Sequence, residues 1–196
     1  MTLVETIASR NESVGFTRAI RVAAVFFVAA LTAAAAQISI PVPFTDVPLT
    51  FQPMVVLLGA LALGPRLAVA SQVLYLAAGI AGLPVFAASG ALPPGAARLF
   101  GPTGGYLMAY PFAAFAAGHL GARGFGRRYL TSFAATIAGL AIVYACGVLW
   151  LTRFVSLEGA LVAGLYPFVL KDTITLALTA GVLPGFWRLM RPAEHE

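Results

Sequence analysis

The chain has 196 residues, 60% of them hydrophobic and 10% charged, with 12 basic and 7 acidic side chains. A soluble domain carries about a quarter charged residues, so this balance, with a mean hydropathy of +0.92, indicates an integral membrane protein. One cysteine, Cys146, and two histidines, His119 and His195, exclude an intrachain disulfide and argue against a zinc or haem enzyme. The pI near 9.9 comes from arginines lying between apolar segments, without the basic stripe and interleaved aromatics of a nucleic-acid binder.

A helix needs about 20 mostly apolar residues to cross the hydrocarbon core. Six segments approach or reach that length, at about 19–38, 50–64, 66–83, 103–121, 131–152 and 167–187. They predict one all-α transmembrane domain over residues 1–196, with a short cytoplasmic segment at 1–18. Arg18 and Arg21 followed by VAAVFFVAALTAAAAQ also fit a signal peptide. The long preceding segment with Glu5 and Glu12, and the equal apolarity of the remaining chain, favour a retained first helix.

In that helix Ala29 and Ala33 repeat at helical spacing, as do Ala30 and Ala34. Such small-residue patterns let helices approach closely, either within the chain or against another membrane subunit; Ala29 and Ala33 are the candidate docking face. Between the second and third segments, Gly64-Pro65-Arg66 predicts a tight helical hairpin, because glycine can cap one helix and proline cannot continue it.

With six spans, nine arginines (10, 18, 21, 66, 123, 127, 128, 188 and 191) fall on one side and Arg98, Arg153 and Lys171 on the other. The positive-inside rule then places both termini in the cytoplasm. The loops at about 39–49 and 84–102 face outward, and they are unusual connectors. Pro41, Pro43, Pro48 and Pro53 stand beside Phe44 and Phe51, and the second loop brings Phe86 and Phe100. Proline stiffens such segments into extended runs, and the aromatics suggest a lid over an outward-facing ligand site or anchors at headgroup level.

No catalytic constellation is visible. Ser71 lies near Gln72 and Tyr75 but has no histidine or second carboxylate to activate it. GPTGGY, residues 101–106, lacks the ending of a phosphate loop and reads better as the opening of the fourth helix, where free amides can meet a polar ligand group. The charges that stand out are Arg98 and the adjacent pair Lys171 and Asp172, at the head of the last apolar segment. An ionisable group at membrane depth is costly and marks a partner, cavity or ligand. As sequence neighbours, Lys171 and Asp172 diverge by about 100° on a helix, so one could meet a ligand's charge while the other accepts hydrogen bonds; both could instead snorkel to the interface.

The run QISIPVPFTDVPLTFQ, then LGPRL, SQVLYLAAGIAGLPVFA, GPTGGYL and YPFVLKDTITLAL, resembles the BioY family, the biotin-binding substrate components of energy-coupling factor (ECF) transporters. The resemblance runs in order from about Arg18 to the end of the sixth segment. It implies six transmembrane helices, biotin captured from outside near the outer ends of helices four to six, and an energising module of a transmembrane coupling subunit with two ATPases. In one respect the chain departs. Similar members often carry a Gly-Asp pair with a lysine three residues beyond the aspartate, whereas here Lys171 stands in the glycine place and Thr175 in the lysine place. Residues 171 and 175 share a helical face, so the ammonium could reach the same region from one turn earlier.

The resemblance implies a bacterial cytoplasmic-membrane protein that is not an enzyme and binds biotin without a cofactor. Lys171 or Arg98 would pair the ligand's carboxylate. Asp172, Gln72 and Tyr75 would serve its ureido group, and Phe86, Phe51 and Tyr106 would bury its hydrocarbon parts. A solitary homo-oligomer is the alternative to the ATPase module. Rival readings are a substrate component for another small vitamin, an intramembrane lipid-acting enzyme with Asp172 as base, and a structural scaffold.

Overall fold

The computed structural model describes residues 2–8, 13–42, 45–87 and 94–190. Arg10, Glu12, Pro43, Phe44, Arg191 and His195 lie outside the described residues, as does the 88–93 part of the second loop.

The chain opens on α1 (Leu3–Ala8), a helix within the segment expected only as a short cytoplasmic stretch. A reciprocal cap builds it: the Thr2 amide donates to Glu5 Oε2 at 2.8 Å and the Glu5 amide to Thr2 Oγ1 at 3.3 Å, satisfying donors that a helix start leaves open. α2 (Val14–Gln37) follows, starting before the expected residue 19. Its Val28, Ala29, Thr32, Ala35 and Ala36 are buried, Ala33 packs against the core, and Ala30 and Ala34 are exposed. Ala29 and Ala33 therefore pack within the chain, and the outward small-residue pair is Ala30 and Ala34.

The first proline-rich loop is a β-hairpin, β1 (Ser39–Val42) with β2 (Thr45–Thr50), which corrects the expectation of a purely helical chain. The strands are antiparallel, pairing Ser39 with Thr50, Ile40 with Leu49 and Val42 with Thr45. A two-stranded ribbon tolerates Pro48 because every strand in it is an edge. Short alternating runs such as SIPV and TDVPLT have the β-branched residues that fit a pleated surface.

α3 (Gln52–Leu63) and α4 (Pro65–Ile80) form the expected hairpin. Gly64 takes φ +79° and its amide donates to the Ala60 carbonyl at 2.9 Å; this left-handed backbone suits glycine. The Thr2 methyl lies 2.8 Å from where a Gly64 Cβ would stand, so α1 docks directly beneath the turn.

After the short α5 (Ala97–Phe100), α6 (Gly104–Ala122) runs through the centre of the molecule against α3, α4 and α7 (Tyr129–Leu151). Ala113, Ala114 and Ala117 are fully buried. At Gly118 and Gly121 a Cβ would come within 2.8 and 2.6 Å of the Gly64 and Leu61 main chains, so small residues set the helix spacing here.

A helix that was not expected, α8 (Leu157–Gly164), precedes the sixth span, and the span expected at 167–187 is itself two helices, α9 (Tyr166–Thr179) and α10 (Val182–Leu189). Leu165, at φ −124° and ψ −62°, separates α8 from α9, and Pro167 sits in the first turn of α9, where its missing N–H costs nothing. Among the described residues, Val14–Gln37, Tyr129–Leu151 and the composite Leu157–Leu189 are long and apolar enough to cross a membrane; Gln52–Leu63 and Pro65–Ile80 are shorter apolar helices. This is a mostly helical membrane protein.

Candidate ligand-binding site

The β1–β2 hairpin, the starts of α3, α6 and α9, and the middle of α7 converge on one cavity enclosing about 600 Å³ of atom-free space, part of it open to solvent. β2 contributes Val47, Pro48 and Thr50, and α3 adds Gln52 and Pro53. Phe86 and Ala87 come from the stretch after α4, and Arg98 from α5. α6 turns Thr103, Tyr106, Leu107 and Tyr110 inward, α7 turns Val143 and Tyr144, and α9 turns Phe168 and Asp172. Apolar and aromatic walls with a few polar groups are the usual make-up of a small-molecule site.

Among the described residues, two charged side chains line this cavity. Arg98, only 5% exposed, donates from Nη2 to the Ala87 carbonyl at 2.9 Å, which ties α5 to the segment after α4. Burial lowers its pKa from the ordinary arginine value and Tyr75 opposes the shift; arginine stays protonated at any physiological pH. Asp172 is likewise 5% exposed. Its Oδ2 accepts the Tyr144 hydroxyl at 2.6 Å, and its Oδ1 pairs with the Lys171 ammonium at 2.7 Å. A buried carboxylate is tolerated when paired and hydrogen-bonded in this way.

Lys171 and Asp172 thus pair with each other, against the expectation that they serve separate partners. The long lysine side chain lets its ammonium turn back to the adjacent carboxylate. The same ammonium donates to the Thr50 carbonyl and stands 4.9 Å from the Phe51 ring centroid. Neither Lys171 nor Phe51 lines the cavity; they form its outer support.

Phe86 and Tyr106 line it. Phe86 meets Tyr75 edge-on, with centroids 5.6 Å apart. Tyr106 donates its hydroxyl to the Gly164 carbonyl at 2.8 Å, fixing its ring to the end of α8. Tyr75 stands behind the wall and accepts from Gln52 Nε2 at 2.6 Å, so it orients a lining residue. Gln72 is not brought to the cavity. Fully buried on α4, it donates to Ser71 Oγ at 3.1 Å and Thr32 Oγ1 at 3.4 Å, a polar bridge between α4 and α2.

Sequence reasoning overlooked Gln52, Tyr110, Tyr144 and Thr103. Thr103 Oγ1 is buried without a hydrogen-bond partner at the start of α6, where the glycine-rich opening was the available signal. Tyr144 and Tyr110 sit inside apolar helices, where nothing in the sequence sets them apart from core aromatics. The phenol of Tyr144 lies 28 residues from its aspartate, a pairing that spacing does not reveal.

A model described as the BioY family matches residues 8–192. The chain belongs to the BioY family. Among its relatives, a protein named probable biotin transporter BioY from Pyrococcus horikoshii is 42% identical over 149 residues, covering 76% of this chain and 84% of the relative. The biotin transporter BioY of Thermotoga maritima is 37% identical over 142 residues, covering 72% and 81%. Both are named as transporters, not enzymes. The fold is similar to a crystal structure of the S-component for biotin from an ECF-type ABC transporter, with a TM-score of 0.79 at 24% identity over 91% of this chain and 95% of that one.

Proposed function

We propose that this BioY-family chain takes up biotin across the bacterial cytoplasmic membrane, as the substrate-binding subunit of an ECF-type transporter. The observation that carries the reading is a cavity lined by a cation, Arg98, a carboxylate, Asp172, and aromatic walls, in a chain whose relatives are named biotin transporters. Biotin offers a carboxylate, a neutral ureido ring and an apolar remainder. Arg98 takes the carboxylate by a charge-assisted bond; of the two cations it is the one on the cavity wall, while the Lys171 ammonium is engaged elsewhere. Asp172, set by Tyr144, takes the ureido group, with Gln52 and Tyr75 behind it. Phe86 and Tyr106 cover the apolar parts.

Both termini lie in the cytoplasm and residues 84–102 outside, on the nine-to-three count of basic residues. The sequence contains no phosphate-loop motif, so energy comes from a transmembrane coupling subunit and two ATPases, or from a gradient if the chain works alone as a homo-oligomer. Mass spectrometry of ligand co-purifying from biotin-containing medium, followed by isothermal titration, tests the reading. Stoichiometric biotin is expected. Retention of a different vitamin with no biotin binding would overturn it.

A further inference from the structure

Three contacts converge on the Lys171 ammonium: the Asp172 carboxylate at 2.7 Å, the Thr50 backbone carbonyl, and the Phe51 ring at 4.9 Å from its centroid. They belong to two different parts of the fold. Asp172 is on α9, whereas Thr50, 121 residues from Lys171 in sequence, ends β2 and Phe51 leads into α3. β2 is also a wall of the cavity through Val47, Pro48 and Thr50. A two-stranded ribbon is marginally stable by itself, so its position over the cavity depends on what fastens it. At its α3 end, Thr50 Oγ1 stands 3.5 Å from Gln52 Oε1, a long and neutral contact. The Lys171 ammonium supplies a charged one.

We infer that Lys171 is a positioning residue that latches the β1–β2 hairpin to α9 and holds Asp172 toward Tyr144, rather than a group that pairs with the ligand's charge. A ligand entering beneath β2 is then retained by the latch whatever charge it carries. Loss of the ammonium frees the Thr50 carbonyl, releases the ring of Phe51 and leaves Asp172 with Tyr144 alone. The wall loosens and the carboxylate loses one of its two fixed partners.

The ligand arm of the test rests on the biotin reading; a ligand-free arm does not. Hydrogen exchange of the peptide covering residues 45–51 is measured without ligand for the wild-type chain, Lys171→Met, Lys171→Arg and Thr175→Ala. Thr175 serves as the control, since its hydroxyl donates to the Lys171 carbonyl at 2.8 Å without touching the hairpin. Lys171→Met is expected to speed exchange in this peptide, Lys171→Arg to restore slow exchange, and Thr175→Ala to leave it unchanged. Dissociation of biotin and of biotin amide from Lys171→Met should accelerate by the same factor, about 10- to 100-fold for a lost charge-assisted bond. Wild-type exchange in Lys171→Met, or a loss confined to the acid, would overturn the latch. Should wild type bind neither ligand, the biotin reading fails and the ligand-free exchange still decides the role of Lys171. Should Lys171→Met not fold, Lys171→Gln carries the same comparison.

Discussion

Tyr144 on α7 donates its hydroxyl to Asp172 on α9 at 2.6 Å, joining two cavity walls through the buried carboxylate. The phenol fills one acceptor position of Asp172 and leaves the rest of the group to Lys171 and to the cavity. The orientation of the aspartate is thus set in part from outside its own helix.

Tyr144→Phe keeps the ring and deletes that donor. A hydrogen bond to a charged group is worth about 1.5–3 kcal/mol, so isothermal titration is expected to show biotin binding weakened by about 10- to 100-fold. Unchanged affinity would mean that Asp172 holds its position without the tyrosine.

Arg98→Ala removes the cation on the cavity wall. Biotin should lose about 10- to 100-fold in affinity, biotin amide much less, and Arg98→Lys should recover part of the difference. Equal losses for both ligands would reduce Arg98 to its bond with the Ala87 carbonyl and a structural role.

Gly79→Ala places a methyl inside the space of the Phe86 ring. Overpacking of this kind costs about 1–3 kcal/mol, and the ring must leave both the cavity wall and its edge contact with Tyr75. Lower thermal stability together with weaker binding is expected. Full affinity would show that the aromatic wall does not bear on the ligand.

The mostly helical character was legible because apolar length is a strong signal, and Gly64-Pro65 punctuates it. The hairpin was not, since strands of four and six residues rich in proline resemble loop as much as sheet. Helix α8 was equally hidden, lying just before the expected sixth span in an apolar run whose composition does not change across Leu165. Within the site, charge exposed Arg98 and Asp172 because ionisable residues are few and most lie in the segments expected on the cytoplasmic side. Gln72 and Tyr75 are three residues apart on one helix, and chemistry alone did not say that one would face α2 and the other stand behind the cavity. Only packing assigns the face.

Ala30 and Ala34 offer a test of partner docking. Replacing either with Leu adds volume on an exposed helix face where another helix could approach, and is expected to reduce recovery of a complex with a coupling subunit while biotin affinity stays unchanged. Ala29→Leu, by contrast, should destabilise the chain by about 1–3 kcal/mol because Ala29 is in the core. Thermal melting and co-purification separate the two faces. Complex recovery untouched by both outward changes would move the docking surface elsewhere.

Topology is checked by Ala96→Cys on a Cys146→Ala background, as Ala96 is exposed between α4 and α6. Labelling by an impermeant reagent in intact cells is expected. Labelling only after permeabilisation would reverse the orientation and the direction of transport.

The ring of Tyr106 touches the cavity on one side, while on the other side a Cβ at Gly147 would overlap it and one at Gly164 would overlap its hydroxyl. Neither glycine can therefore be enlarged while Tyr106 keeps its ring and hydroxyl in place. A lineage that enlarges Gly147 or Gly164 must first shorten Tyr106, and in doing so it reshapes the pocket. A larger residue at either glycine in a relative is then a mark of a reshaped pocket, although neither position lines the cavity.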